Sequence, residues 1–151
     1  MPVAEDGALP DEDPALTALV RKEMPYAAAL GLRMVTMAEE RTVALADWTP
    51  ERTTSGAVAH GGFLMACADA VGAIAAYRNL PAGALGTTTI ESKTNFFRPV
   101  RGGTVLVQAT PVHLGSTTAV VQTDVLDERG QLVSRTTQTQ LVLVPTEGDE
   151  T

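Results

Sequence analysis

A chain of 151 residues is long enough for one domain that buries roughly two thirds of the surface its unfolded form exposes, and it needs no second domain. Hydrophobic residues make up 44% of it but aromatics only 4%, so the core has to come from Val, Leu, Ala, Met and Ile. The net charge of −7 argues against nucleic acid as a partner, because phosphate binding needs Lys and Arg in excess.

Eight of the 18 carboxylates lie near the two ends: Glu5, Asp6, Asp11, Glu12, Asp13, Glu147, Asp149 and Glu150. Without them the body is close to neutral, which leaves room for a local basic site on an anionic ligand. Residues 1–14, "MPVAEDGALPDEDP", form an acidic leader with neither the basic start nor the apolar stretch of a secretory signal. Nowhere do about 18 apolar residues run free of charge. The expectation is a cytoplasmic protein with no membrane segment.

After the leader, "PALTALVRKEM" and "PYAAALGL" read as short helical pieces broken before Pro25. "RMVTMAEERTVALADWT", Arg33 to Thr49, alternates on both sides of a polar turn and reads as a hairpin. A turn-rich loop, "PERTTSGAVA", leads into "HGGFLMACADAVGAIAAY", His60 to Tyr77. From Gly61 onward that run is apolar or glycine at every position except Asp69. It predicts a helix covered on all sides, since a surface helix carries charges on one face. Strands follow at about Thr87–Phe97, Thr104–His113, Thr117–Asp127 and Gln131–Val144, separated by "RPVRGG", "LGS" and "DERG".

This order predicts an α+β fold over residues 15–144, a single antiparallel sheet wrapped around one helix, with an acidic tail at 145–151. Six strands do not hide a helix that is apolar all round. A second copy of the chain is therefore expected to supply the missing cover.

Asp69 stands out because a carboxylate taken out of water without a partner is costly, and a sequence keeps one there for a use. Gly61 and Gly62 stand at the helix start, where backbone N–H groups lack internal partners and carry the positive end of the dipole. Donors so placed suit a carbonyl oxygen that gains negative charge during attack; the same glycines equally serve close packing of helix on sheet. Cys67 lies inside the helix and reads as a small core residue. His60, His113 and Cys67 show no metal-ligand spacing, so no metal is expected, and no cofactor motif is present.

"AHGGFLMACADA" on the helix, "NFFRPVRGG" closing the next strand and "HLGSTT" two elements later resemble the hotdog-fold acyl-CoA thioesterases. More narrowly the chain is similar to their phenylacetate-degradation and 4-hydroxybenzoyl-CoA groups, over about Ala28 to Val144. The resemblance implies that Asp69 acts across a subunit interface, as general base or nucleophile, on a thioester polarised by the Gly61 N–H of a neighbouring chain. It implies that Thr89 helps hold the water and that His60 orients the turn. Thr54 stands where many relatives carry Asn or Gln near the lytic water, and its hydroxyl is shorter with one donor instead of two. Arg98, Ser116 and Thr117, with Arg101 and Gly62 as further candidates, match positions that contact coenzyme A, which enters as part of the substrate. The acyl group is expected to be aromatic or medium in length, with Phe63, Ala73 and Tyr77 near it, and the assembly a homotetramer made of two dimers. The competing readings are a hydratase or dehydratase, which needs a catalytic His paired with an acid that is not evident, and a non-catalytic acyl-CoA binding module, which would lack Asp69.

Overall fold

The computed structural model describes residues 8–146. The expected leader up to residue 7 and the tail from residue 147 lie outside the described residues. Helix α1 (Pro14–Glu23) starts where Asp13 caps it, its carboxylate accepting from the N–H groups of Ala15 and Leu16, with Pro14 at the first helical position. Pro25 breaks the chain into the short α2 (Pro25–Ala29). Both pieces read from the sequence are present. α1 is tied to the first strand, β1 (Arg33–Met37), by the Asp13 N–H on the Met34 carbonyl (2.7 Å), the Met34 N–H on Thr17 Oγ1 (2.8 Å) and Arg21 Nε on the Leu32 carbonyl (3.0 Å).

β1 forms the expected hairpin with β2 (Thr42–Asp47). Two single 3-10 turns, Pro50–Arg52 and Ser55–Ala57, carry the chain into α3 (Gly61–Arg78). Then come β3 (Gly86–Phe96), β4 (Thr104–Leu114), β5 (Thr118–Leu126) and β6 (Leu132–Leu143), each within about a residue of the boundary read from the turn residues. Gly103 (φ 74°) and Gly130 (φ 72°) supply the left-handed positions on which the "RPVRGG" and "DERG" turns close. All neighbours are antiparallel in a six-stranded sheet of order β1-β2-β4-β5-β6-β3.

α3 lies across the inner face of this sheet. Val71, Ala75 and Cys67 pack on Val105, Val107, Ala109, Val121 and Val125, the period-two inward positions of β4 and β5. Burying a side chain of this size is worth about 1.5–3 kcal/mol, and this layer holds the sheet on the helix. The pattern is broken at Thr123 of β5 and most of all in β6. β6 turns Ser134, Thr136, Gln138 and Gln140 inward, all fully buried, where Val would be ordinary.

The helix is not covered on all sides within one chain. Met65, Asp69 and Tyr77 are exposed and Ala73 half exposed, in a line of i, i+4 steps that shares one face of the helix. The sheet wraps the other faces and leaves this one open, so the expectation of a buried Asp69 is corrected for the single chain. β3 is an edge strand, bonded among the described residues only to β6, and exposes Ile90, Phe96 and, just beyond its end, Phe97.

Candidate active site

The open face of α3 brings Asp69 against β3 and β6. A bulge at Ile90 shifts the β3 register so that Thr89 pairs opposite Gln140 while Ser92 pairs opposite Gln138. Thr89 Oγ1 donates to Asp69 Oδ1 at 3.0 Å. Gln138 Nε2 reaches the same oxygen at 3.2 Å and the Asp69 carbonyl at 3.5 Å. Gln140 Nε2 donates to Thr89 Oγ1 at 2.6 Å. Gly72 makes this possible, because a Cβ there would sit 2.7 Å from Gln138 Cδ and 3.1 Å from Thr123 Oγ1.

Beyond Asp69 the same helix face forms one wall of a cavity of about 580 Å³, lined by Leu19, Met24, Met37, Ala73, Ile74 and Tyr77 among others. Ala73 is one turn past the carboxylate and Tyr77 two, so the apolar space opens about one turn beyond Asp69 along the helix. Thr87, two residues from Thr89 on β3, borders it on the far side.

The helix start makes a second, separate place. His60 is the N-cap residue, and its Nδ1 accepts the Gly62 N–H at 2.8 Å. That acceptor role leaves the ring proton on Nε2 and shows His60 shaping the turn. The Gly61 N–H has no acceptor among the described residues. It borders a cavity of about 320 Å³ with Leu64, Phe96, Phe97, Arg98 and Val100, and a Cβ at Gly61 would sit 3.1 Å from Phe96 Cζ. Eight residues of helix, about 12 Å of axial rise, separate this amide from Asp69.

The remaining candidates are scattered. Thr54 is exposed in the loop before the helix, its N–H on the Val58 carbonyl at 2.8 Å. Arg98 is exposed, with Nη1 on the Leu132 carbonyl at 2.9 Å, and Arg101 Nη1 donates to the Gly56 carbonyl. Ser116 and Thr117 are exposed in the β4–β5 turn, where the Thr117 carbonyl accepts the Val142 N–H. Val142 pairs with Thr87 at the start of β3, whereas Arg98 lies past its far end. That is about nine residues of strand, roughly 30 Å. Within one chain, then, the structure does not bring Arg98 together with Ser116 and Thr117.

Burial pushes the Cys67 thiol up to about 12, with the positive Arg52 opposing only weakly, so it is an inert core residue. No group of three or more His, Cys, Asp and Glu able to hold a metal occurs among the described residues. No helix among them is long and apolar enough to cross a membrane.

Gln138 and Gln140 were not singled out from the sequence. The only signal lies in "SRTTQTQLVL", where they share the parity of Val142 and so fall on the buried side once the register is known.

Residues 56–134, just over half of the chain, match the family model described as the thioesterase superfamily. Among curated proteins, the 1,4-dihydroxy-2-naphthoyl-CoA hydrolase of Escherichia coli is 32% identical over 84 residues, 56% of this chain and 61% of that one. A Pasteurella multocida relative is 36% identical over 73 residues, 48% of this chain and 52% of that one. The matched stretch thus spans only about half to three fifths of the length of these two relatives. Solved structures match over more of the chain. The thioesterase HI1161 of Haemophilus influenzae superposes with a TM-score of 0.79 at 27% identity, covering 89% of this chain and 92% of that one. A mutant of the phenylacetic acid degradation protein PaaI from Thermus thermophilus does so with 0.72 at 31% identity, covering 79% and 99%. By its sheet wrapped on one central helix and by these matches, the chain belongs to the thioesterase superfamily, a family of thioester hydrolases, and has the hotdog fold.

Proposed function

We propose that the chain is an acyl-CoA thioesterase that hydrolyses an aromatic or medium-length acyl-CoA to the free acid and CoA, with Asp69 as general base. The observation that carries this reading is a carboxylate gripped through one oxygen by Thr89 and Gln138, on an open helix face that runs into an apolar cavity. The acyl group lies along α3 from Asp69 toward Ala73 and Tyr77. A water held between Asp69 and the thioester carbon attacks that carbon and gives its proton to the carboxylate. The carbonyl electron pair moves onto oxygen, where a preorganised amide at a helix start is typically worth about 3–4 kcal/mol of barrier. Collapse re-forms the carbonyl and breaks the C–S bond, and the CoA sulfur takes the proton back from Asp69.

The amide for this step comes from a second chain, because Gly61 of the same helix is about 12 Å away. Two copies facing each other across their open helices therefore complete two sites. Arg98 from one chain and Ser116 and Thr117 from the other can meet on one CoA only across such a boundary. The E. coli relative's name, a hydroxynaphthoyl-CoA hydrolase, supports an aromatic acyl group. The protein is placed in the cytoplasm by the same reading, as a dimer of dimers with no metal and no further cofactor.

Steady-state hydrolysis over phenylacetyl, hydroxybenzoyl and straight-chain acyl-CoAs tests the proposal. The expected result is turnover that rises as the acyl group fills the cavity. A chain that binds these thioesters and hydrolyses none would be a binding module instead.

A further inference from the structure

We infer that Gln140 and Gln138 on β6 are positioning residues that hold Asp69 by a single carboxylate oxygen, Oδ1, and so fix Oδ2 as the oxygen that faces the water. The inference rests on the reading of Asp69 as the base and adds to it the device that aims it.

Gln140 is fully buried, and its Nε2 donates to Thr89 Oγ1 at 2.6 Å. A hydroxyl that accepts there directs its own proton elsewhere, and the acceptor in reach is Asp69 Oδ1 at 3.0 Å. The chain Gln140, Thr89, Asp69 is therefore polarised in one direction. Gln138, also buried, donates to the same Oδ1 at 3.2 Å. Two donors converge on one oxygen, and among the described residues none reaches Oδ2. A carboxylate bound in this way cannot rotate its two oxygens past each other without breaking both bonds.

The two glutamines are poor choices for packing alone. Their Oε1 atoms are buried without a hydrogen-bond partner, as is Thr123 Oγ1 beside Gly72, which makes the seam costly where Val, Leu or Met would be stable. Gly72 gives up its own side chain to admit Gln138. Neither glutamine touches the cavity on the open helix face. Both act through Asp69, directly or by way of Thr89.

The test compares Gln140→Met, Gln138→Met, Gln140→Asn and Thr89→Val chains, alone and combined, by kcat, KM and thermal melting, with Asp69→Asn measured alongside. Asn at position 140 stays polar but is one methylene too short to reach Thr89. The expected result for each glutamine variant is a kcat reduced roughly tenfold and a KM within about twofold, with a melting temperature unchanged or raised for the two Met variants and lowered for Gln140→Asn, whose amide is left buried without its partner. In a Thr89→Val background, Gln140→Met should cause no further loss of kcat, and Thr89→Ser should restore most of the activity. Glutamine variants with full kcat beside an inactive Asp69→Asn would overturn the inference alone. So would losses that multiply independently in the double variant, or losses that follow the melting temperature. An active Asp69→Asn chain would overturn the reading of the site beneath it.

Discussion

Asp69 is exposed in a single chain, so its charge is solvated there, and the expense of placing a carboxylate on an apolar helix arrives only when that face is covered. Its donors, Thr89 and Gln138, are in place within the single chain. Arg98 is a different kind of residue: exposed, its guanidinium bonded among the described residues only to the Leu132 carbonyl. Arginine suits a phosphate by charge and fork geometry, and contacts far from the reacting carbon bind ground and transition states alike. Arg98→Ala should accordingly raise KM for a CoA thioester roughly tenfold with kcat little changed. A fall in kcat at constant KM would contradict that assignment. Cys67 gives a pH signature. Its thiol is raised from 9.0 to about 12 by burial, so the unfolded chain loses this proton first as pH rises. Stability from the buried thiol is full well below pH 9 and falls as pH rises from there toward 12, by on the order of 1 kcal/mol at pH 10. Denaturant melts of wild type and Cys67→Ala at pH 7 and pH 10 should differ in their pH dependence by about that amount, and identical pH dependences would contradict it.

At the scale of elements, α3 does two jobs that its sequence shows only in part. Its apolar run from Gly61 to Tyr77 marked a central helix, because no surface helix lacks a polar face. Which face stays open was not legible, since that depends on how far a six-stranded sheet curls. The strands were readable from alternation and from turn residues such as Gly103 and Gly130. The role of β6 was not, because a polar residue at one parity faces the core or the solvent according to register alone. Ser134, Thr136, Gln138 and Gln140 became a buried seam only once Gln140 was paired with Thr89. The fit between α3 and that seam is close at Gly72. Gly72→Ala should destabilise the protein by about 1–3 kcal/mol, the usual range for overpacking, and displace Gln138 from Asp69. Chemical denaturation and kcat together check this, and a variant of wild-type stability and rate would show that the seam yields freely.

On the scale of the whole molecule, two surfaces are unfinished. The Met65, Asp69, Ala73 and Tyr77 face of α3 is open, and the β3 edge offers unpaired backbone groups beside Ile90, Phe96 and Phe97. An exposed edge strand with apolar side chains invites a partner. The sequence pointed to this through an excess of apolar helix over available sheet, while the arrangement of copies depends on surfaces that no periodicity encodes. The separation of Arg98 from Ser116 and Thr117 to opposite ends of the sheet was likewise invisible in their spacing. The chain should therefore be an oligomer at micromolar concentration by sedimentation, and an active monomer would contradict the account.

The role of the Asp69 carboxylate is read most directly from the turnover of Asp69→Asn on the best acyl-CoA substrate. Asparagine keeps the size and removes the charge, so folding and assembly should survive, and with them CoA affinity. General-base participation is typically worth about a hundredfold to ten-thousandfold, so kcat should fall by at least roughly two orders of magnitude. A folded Asp69→Asn chain that hydrolyses the thioester at a rate near wild type would contradict the account and leave Asp69 a structural residue.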